Sequence, residues 1–179
     1  MAPYVLFADS SCDLPENLMH EWEIHYSSLS FIFDDSDRIY RNYDMPAKEF
    51  YSRIRAGHSA KTSAVNSADF EEAFSVELEK GNDILYLGFS TGLSATYQDA
   101  CVAADELKKK YPERKILTVD TLSASGGYGM IVYLTRKQKL AGATIEEAAQ
   151  YAEKTFLSPL GFEAPLILGL RLSLCASKL

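Results

Sequence analysis

Serine, threonine and aspartate gather in three short stretches of the chain. They are Asp9-Ser10-Ser11-Cys12-Asp13, Lys61-Thr62-Ser63 and Phe89-Ser90-Thr91-Gly92-Leu93-Ser94-Ala95-Thr96. Each reads as a loop between an apolar or extended run and a helix-patterned run, where freed backbone N–H groups can meet an anion. Hydroxyls beside helix amino ends can surround a carboxylate or phosphate without a full counter-charge, and hydrogen bonds to an ionised acceptor are the strong kind. Ordinary helix capping explains any one of these stretches. Three of them together favour a shared anion site, with Asp120-Thr121 at a further strand-like end.

Bond-breaking chemistry is harder to assemble from the same residues. An aspartate nucleophile at Asp9 wants a second carboxylate two residues on as acid and base, but Ser11 stands there and Asp13 lies four away. The plainer role for Asp9 is to accept backbone donors in a strand-end turn. Cys12 as a phosphatase nucleophile needs an arginine six residues on, where the chain has Leu18. Gly88-Phe89-Ser90-Thr91-Gly92 lacks the Gly-Lys-Ser/Thr ending of a phosphate-cradling P-loop. A loop serine needs a histidine base, and His20, His25 and His58 follow no recognisable order. The enzymatic alternative is therefore a small phosphatase or hydrolase using Asp9 or a loop serine, and no catalytic residue is assigned.

No cofactor or metal is implied, because Cys12, Cys101 and Cys175 are too widely spaced for a ligand pattern. Unpaired cysteines fit a reducing compartment. Arg53, Arg55, His58 and Lys61 form a local basic cluster, either a solvated helix face or a docking spot for phosphate. A net charge of −7 speaks against general affinity for nucleic acid or anionic membranes. No basic segment precedes an apolar stretch at the amino terminus. The longest apolar-rich run, 164–174, is interrupted by Gly169, Arg171 and Ser173 and is too short for a bilayer. These features predict a cytoplasmic protein with no stable membrane insertion.

The elements that must position these residues alternate in type. Tyr4 to Ala8, Ile84 to Phe89 and Ile116 to Val119 read as buried strands, and Ile24 to Phe33 as one extended stretch. Asp13 and Pro15 read as the opening of a first helix, Asp44 to Pro46 of a second ended by Gly57, and Ser67 of a third. Longer helices are expected from Ser94 to Lys110 and from Ala124 to Leu140, and Thr144 to Glu147 resembles a capping box. This alternation predicts an α/β fold, a doubly wound and mostly parallel sheet flanked by helices. Ligands of such sheets gather outside the carboxyl ends of the strands, which brings Asp9–Ser11, Ser90–Ser94 and Asp120–Ser123 to one edge.

With these residues in hand, the sequence resembles the DegV family of bacterial fatty-acid-binding proteins, which includes the acid-presenting subunits of fatty acid kinase. The resemblance rests on Asp9-Ser10-Ser11-Cys12-Asp13-Leu14-Pro15, Lys61-Thr62-Ser63, Ser90-Thr91-Gly92-Leu93-Ser94-Ala95-Thr96-Tyr97-Gln98 and Val119-Asp120-Thr121, and covers about residues 3 to 154. It implies a non-enzymatic role in which the carboxylate of a long-chain fatty acid is held by Thr62 and Ser94. Ser63 and Ser90 are supporting neighbours, and Ser10 and Ser11 join the binding set. It also implies a fatty acid kinase as a possible partner, with the chain acting in lipid transport or presentation.

Two departures from the family pattern stand out. Ala95 replaces the usual glycine and is expected to crowd the backbone near the head group. Residues 1–154 correspond to the family's amino-terminal α/β domain, whereas 155–179 read as an atypical apolar tail in place of its second, α+β domain. The change of composition after Lys154 suggests an aberrant or frameshifted end, and half a tunnel wall implies weak or absent lipid binding.

Overall fold

The computed structural model of the chain describes residues 3–157. The chain runs through β1 (Tyr4–Asp9), α1 (Glu16–Glu21), β2 (Ile24–Ser27), β3 (Ser30–Phe33), β4 (Ile39–Arg41) and α2 (Ala47–Arg55). It continues through β5 (Ala60–Ser63), α3 (Ser67–Glu79), β6 (Asp83–Gly88), α4 (Thr96–Lys110), β7 (Ile116–Asp120), α5 (Ser125–Leu140) and α6 (Ile145–Leu157).

Four strands form a parallel sheet in the order β2-β1-β6-β7. The near-continuous apolar sequences of the central strands β1 and β6 suit burial on both faces. Alternation splits them: Leu6, Ala8, Leu85 and Leu87 pack with Met19 of α1 and with Tyr128, Val132 and Ala148 of α5 and α6. Phe7, Ile84 and Tyr86 pack on the other face with Phe70, Phe74 and Leu78 of α3 and with Ala100, Ala103, Ala104 and Leu107 of α4. The spacing of the α4 residues gives one apolar stripe, and their small size lets the helix lie close to the sheet. Helices thus cover both faces, as the alternation of elements predicts.

The helix ends follow local chemistry. Asn66 Oδ1 accepts from Asp69 N at 3.0 Å and caps α3. Thr144 and Glu147 form the reciprocal capping box, with Thr144 N and Oγ1 donating to Glu147 Oε2 and Glu147 N donating to Thr144 Oγ1. Gly57 adopts φ +102°, the left-handed backbone that lets the chain turn after α2.

Three expectations need correction. The stretch Ile24 to Phe33 is two strands in two sheets, because the chain leaves the parallel sheet at Ser28-Leu29. Asp13 is not at the amino-cap position of α1: it ends a 3-10 turn (Ser10–Cys12) with φ 53°, and Pro15 stands at that position. Lys61-Thr62-Ser63 is not a loop but part of β5, pairing antiparallel with β3 through Phe31↔Thr62 and Ser30↔Ser63. The resulting three-stranded sheet, β4-β3-β5, packs Phe31 and Phe33 with Tyr40, Met45 and Phe50 into a separate aromatic core. Ala95 takes φ −77° and ψ −8°, which any L residue adopts, and it is exposed on the loop before α4. Helix α6 runs to Leu157, and the remainder of the 155–179 tail lies outside the described residues.

Candidate functional site

The parallel sheet changes direction between β1 and β6. From β1 the chain crosses to β2 on one side, with Met19 of α1 on one face; from β6 it crosses to β7 on the other side, with α4 on the opposite face. Right-handed crossovers require this opposition. A crevice therefore opens beyond the carboxyl ends of β1 and β6, the general ligand position of such sheets. The Asp9–Asp13 turn and the Phe89–Ala95 loop border it.

Asp9 ties these two strand ends together and is wholly buried. Its Oδ1 accepts from Ser11 N at 3.1 Å and from the Ser11 hydroxyl. Its Oδ2 accepts from the Tyr86 hydroxyl at 2.8 Å and from Phe89 N at 3.1 Å. The Tyr128 hydroxyl accepts from Asp9 N at 3.0 Å and shares its single proton between Leu87 O and Asp9 Oδ2. Burial raises the Asp9 carboxyl above its usual range, and the bonds from Ser11, Tyr86 and Phe89 offset only part of that shift. Burial also pushes the Tyr86 and Tyr128 phenols well above theirs. A carboxylate this enclosed is a structural tie and is not presented to a substrate. The nucleophile reading of Asp9 draws no support from it.

Ser10 is also fully buried, and its Oγ accepts from Leu29 N at 2.9 Å. Its carbonyl accepts from Asn42 Nδ2 at 3.3 Å. Ser10 thereby fastens the second sheet to the first. Ser90 is buried, donates its N–H to Ser123 O at 3.1 Å, and receives Gly92 N on its Oγ at 3.2 Å. Ser94 is half-buried; its Oγ lies 2.9 Å from Thr96 Oγ1 and accepts from Thr96 N at 3.2 Å, so it serves as the side-chain cap of α4. Thr91 donates to Asp120 Oδ2 from Oγ1 at 2.6 Å and from its N–H at 3.3 Å. These bonds bring Asp9–Ser11, Ser90–Ser94 and Asp120–Ser123 to one edge, as the topology predicts.

Thr62 and Ser63 stand apart from that network. Both are exposed on β5, and neither side chain makes a hydrogen bond among the described residues. Two residues further on, Val65 is buried with Phe70 and Phe7, which anchors this segment to the α3–α4 face. No hydrogen bond links Thr62 or Ser63 to Ser90 or Ser94 among the described residues.

The β7–α5 connection adds donors. Leu122 (φ 47°) and Ser125 (φ 51°) take left-handed backbone, costly for a leucine and common near functional sites. No side chain caps α5, its first turn carries no acid, and a Cβ at Gly126 would meet nothing within 4 Å. Exposed Leu93 and Leu122 place apolar surface beside these polar groups.

The basic cluster has a different use. Arg53 Nη2 bonds Asp35 Oδ1 at 2.5 Å and stacks on Phe33, while His58 Nδ1 lies 3.4 Å from both Asp34 and Asp35. Arg53 and His58 therefore serve the acidic β3–β4 turn. Asp34, Asp35 and His58 hold ligand atoms within 4.8 Å of one another, but Arg53 already satisfies Asp35, and Ser59 N and Oγ satisfy Asp34. Two surface clefts, about 480 Å³ at the α5–α6 turn and about 270 Å³ beside His20 and His25, are lined by none of the hydroxyl stretches. No helix among the described residues is long and apolar enough to cross a membrane. Tyr86 and Tyr128 escaped the sequence reading; a tyrosine inside the aliphatic run Ile84-Leu85-Tyr86-Leu87 is the available signal, since a buried phenol needs a partner.

Comparison with known proteins bears on the same segment. The model of the DegV family, described as uncharacterised proteins, matches residues 4–156. A DegV domain-containing protein of Clostridium perfringens is 37% identical over 155 residues, covering 86% of this chain and 53% of the relative. A fatty acid-binding protein of Thermotoga maritima is 33% identical over 146 residues, covering 79% of this chain and 49% of the relative. Among solved structures, a DegV family protein from Thermus thermophilus, described by its fatty acid binding, superposes with a TM-score of 0.76 at 29% identity, covering 88% of this chain and 54% of that one. The chain spans about half the length of the curated relatives it matches. On the family match and the shared fold, this chain belongs to the DegV family.

Proposed function

We propose that the chain binds a long-chain fatty acid through its carboxylate, as a cytoplasmic carrier or as the subunit that presents the acid to a fatty acid kinase. Thr62 and Ser94 are the head-group donors, with Ser63 and Ser90 beside them and Ser10 and Ser11 in the adjoining turn. The observation that carries this reading is the gathering of uncharged donors at the β1–β6 crevice, beside an α5 amino end without a side-chain cap. Partial positive charge at such an end favours an anion. Neutral donors suit a carrier, because they hold a carboxylate, and equally an acyl phosphate, without activating a nucleophile. The fatty-acid binding described for the Thermotoga and Thermus relatives agrees with this choice of anion.

Native mass spectrometry of the purified protein tests the reading, with a retained acyl chain as the expected result. Titration with stearate should raise the melting temperature, as any ligand selective for the folded state does. Thr62→Ala should weaken stearate binding about tenfold, the scale of one hydrogen bond to a charged group. It should leave the unliganded melting temperature unchanged, since Thr62 is exposed and unbonded among the described residues. Folded protein that takes up no fatty acid in either assay refutes the proposal.

A further inference from the structure

Of the serines near the ends of β1 and β2, one is unengaged. Ser10 Oγ receives Leu29 N, Ser11 bonds Asp9, and Ser28 Oγ receives Asn42 N while donating to Leu29 O. Ser27 is 6% exposed, and its Oγ has no partner among the described residues. Buried hydroxyls in folded proteins are nearly always hydrogen-bonded, so an exception at a strand end points to a partner beyond the described residues. Thr135, the other buried hydroxyl without a partner, sits in the third turn of α5, away from the strand ends.

The position of Ser27 is specific. It is the last residue of β2 and pairs in register with Asp9. Ile24 and Tyr26 pack toward α1 and α5, whereas His25 stacks on Phe7 with ring centroids 5.4 Å apart. Strand alternation therefore puts Ser27 on the Phe7 side of the sheet. Asp9 meets Tyr86 on that side. The same side is covered by Val65 and Phe70, in the segment that leads from Thr62 and Ser63 into α3. It is also covered by α4, which Ser94 caps.

We infer that Ser27 is a further ligand-binding residue, donating its hydroxyl to the carboxylate of the bound fatty acid alongside Thr62 and Ser94. The inference rests on the fatty-acid reading above. A buried neutral donor strengthens its bond to an ionised acceptor because little water competes there. Ser27 adds a donor from the parallel sheet to one from β5 and one from the loop before α4.

Stearate titrations of the wild type, Ser27→Ala and Ser27→Thr separate the possibilities. Ser27→Ala should bind about tenfold more weakly, the effect of losing one charge-assisted bond. Its unliganded melting temperature should stay equal or rise, because the hydroxyl has no partner among the described residues to lose. Ser27→Thr, which restores a hydroxyl on a residue suited to strands, should recover affinity. Wild-type affinity in Ser27→Ala overturns the inference, as does a fall in unliganded stability with affinity intact. If neither variant folds, the Ser27 amide resonance of the wild type decides: it should shift on adding stearate, and a stationary signal overturns the inference. A wild type that takes up no stearate fails the fatty-acid reading itself, which is visible in that arm alone.

Discussion

Replacing Asp9 by asparagine tests whether the buried carboxylate is the tie that holds the crevice together. Every group around it in the structure is a donor or a hydroxyl: Ser11 N and Oγ on one oxygen, Phe89 N and the Tyr86 and Tyr128 hydroxyls on the other. An amide nitrogen can replace neither oxygen without facing a backbone N–H at about the same distance. One buried donor is then left unpaired, a loss of about 1–3 kcal/mol. For a domain of this size, each kcal/mol lowers Tm by about 2–4 °C, so a mid-range loss gives about 4–8 °C. Urea unfolding followed by circular dichroism measures it. The pH dependence follows from the direction of the shift. Because burial raises the Asp9 carboxyl in the fold above its value of 3.8 in the unfolded chain, the folded state binds the extra proton. That contribution to wild-type stability is complete below 3.8 and is lost as pH rises through the raised folded value. A neutral acid still accepts both backbone N–H groups and can donate to Ser11 Oγ, so the deficit of Asp9→Asn should be largest in acid and shrink as pH rises. A variant as stable as the wild type at every pH would refute this account, and would mean that desolvation of the charge outweighs its hydrogen bonds.

Three further substitutions probe the frame of the crevice. Gly129→Ala would put a Cβ 2.6 Å from the Cys12 carbonyl and 3.3 Å from Leu14, forcing α5 away from the 10–12 turn; overpacking of this kind costs about 1–3 kcal/mol, measurable as a lower urea midpoint. Gly126→Ala, with nothing within 4 Å, should leave that midpoint unchanged or raise it slightly. Asn66→Ala removes the cap of α3 and should cost about 0.5–2 kcal/mol in the same assay, with Asn66→Ser restoring most of it.

The parallel sheet was legible because its strands announce themselves. Ile84 to Gly88 is a continuous apolar run, and the Ala100, Ala103, Ala104 and Leu107 stripe has only one reading. The second sheet was not legible, for two physical reasons. β5 is Ala60-Lys61-Thr62-Ser63, mostly exposed, and only Ala60 packs partly against the aromatic core, so the alternation that marks a strand is missing. β2 and β3 are separated by two residues, and both are rich in β-formers, so nothing local shows that the chain changes sheets at Ser28. The site shows a similar division. Hydroxyl types and strand-end placement put Ser90 and Ser94 at the sheet edge, where the structure has them. Whether a polar side chain is already engaged depends on partners distant in sequence: Leu29 for Ser10, Tyr86 and Tyr128 for Asp9, Asp35 for Arg53. Those pairings separate Ser27, whose hydroxyl has no partner among the described residues, from its neighbours, which do.

The three-stranded sheet has its own aromatic core and is moored to the parallel sheet by hydrogen bonds at Ser10. It has the makings of a separate cooperative unit, one whose amides exchange with solvent through a partial opening that leaves the larger sheet closed. A ligand held by Thr62 on one unit and Ser94 on the other would couple the two openings into one equilibrium. Its binding energy would then appear chiefly as slowed exchange along β3 and β5, the less protected partner, and hardly at all in β1 and β6. The affinity of the site would thus be written in the lifetime of the smaller sheet.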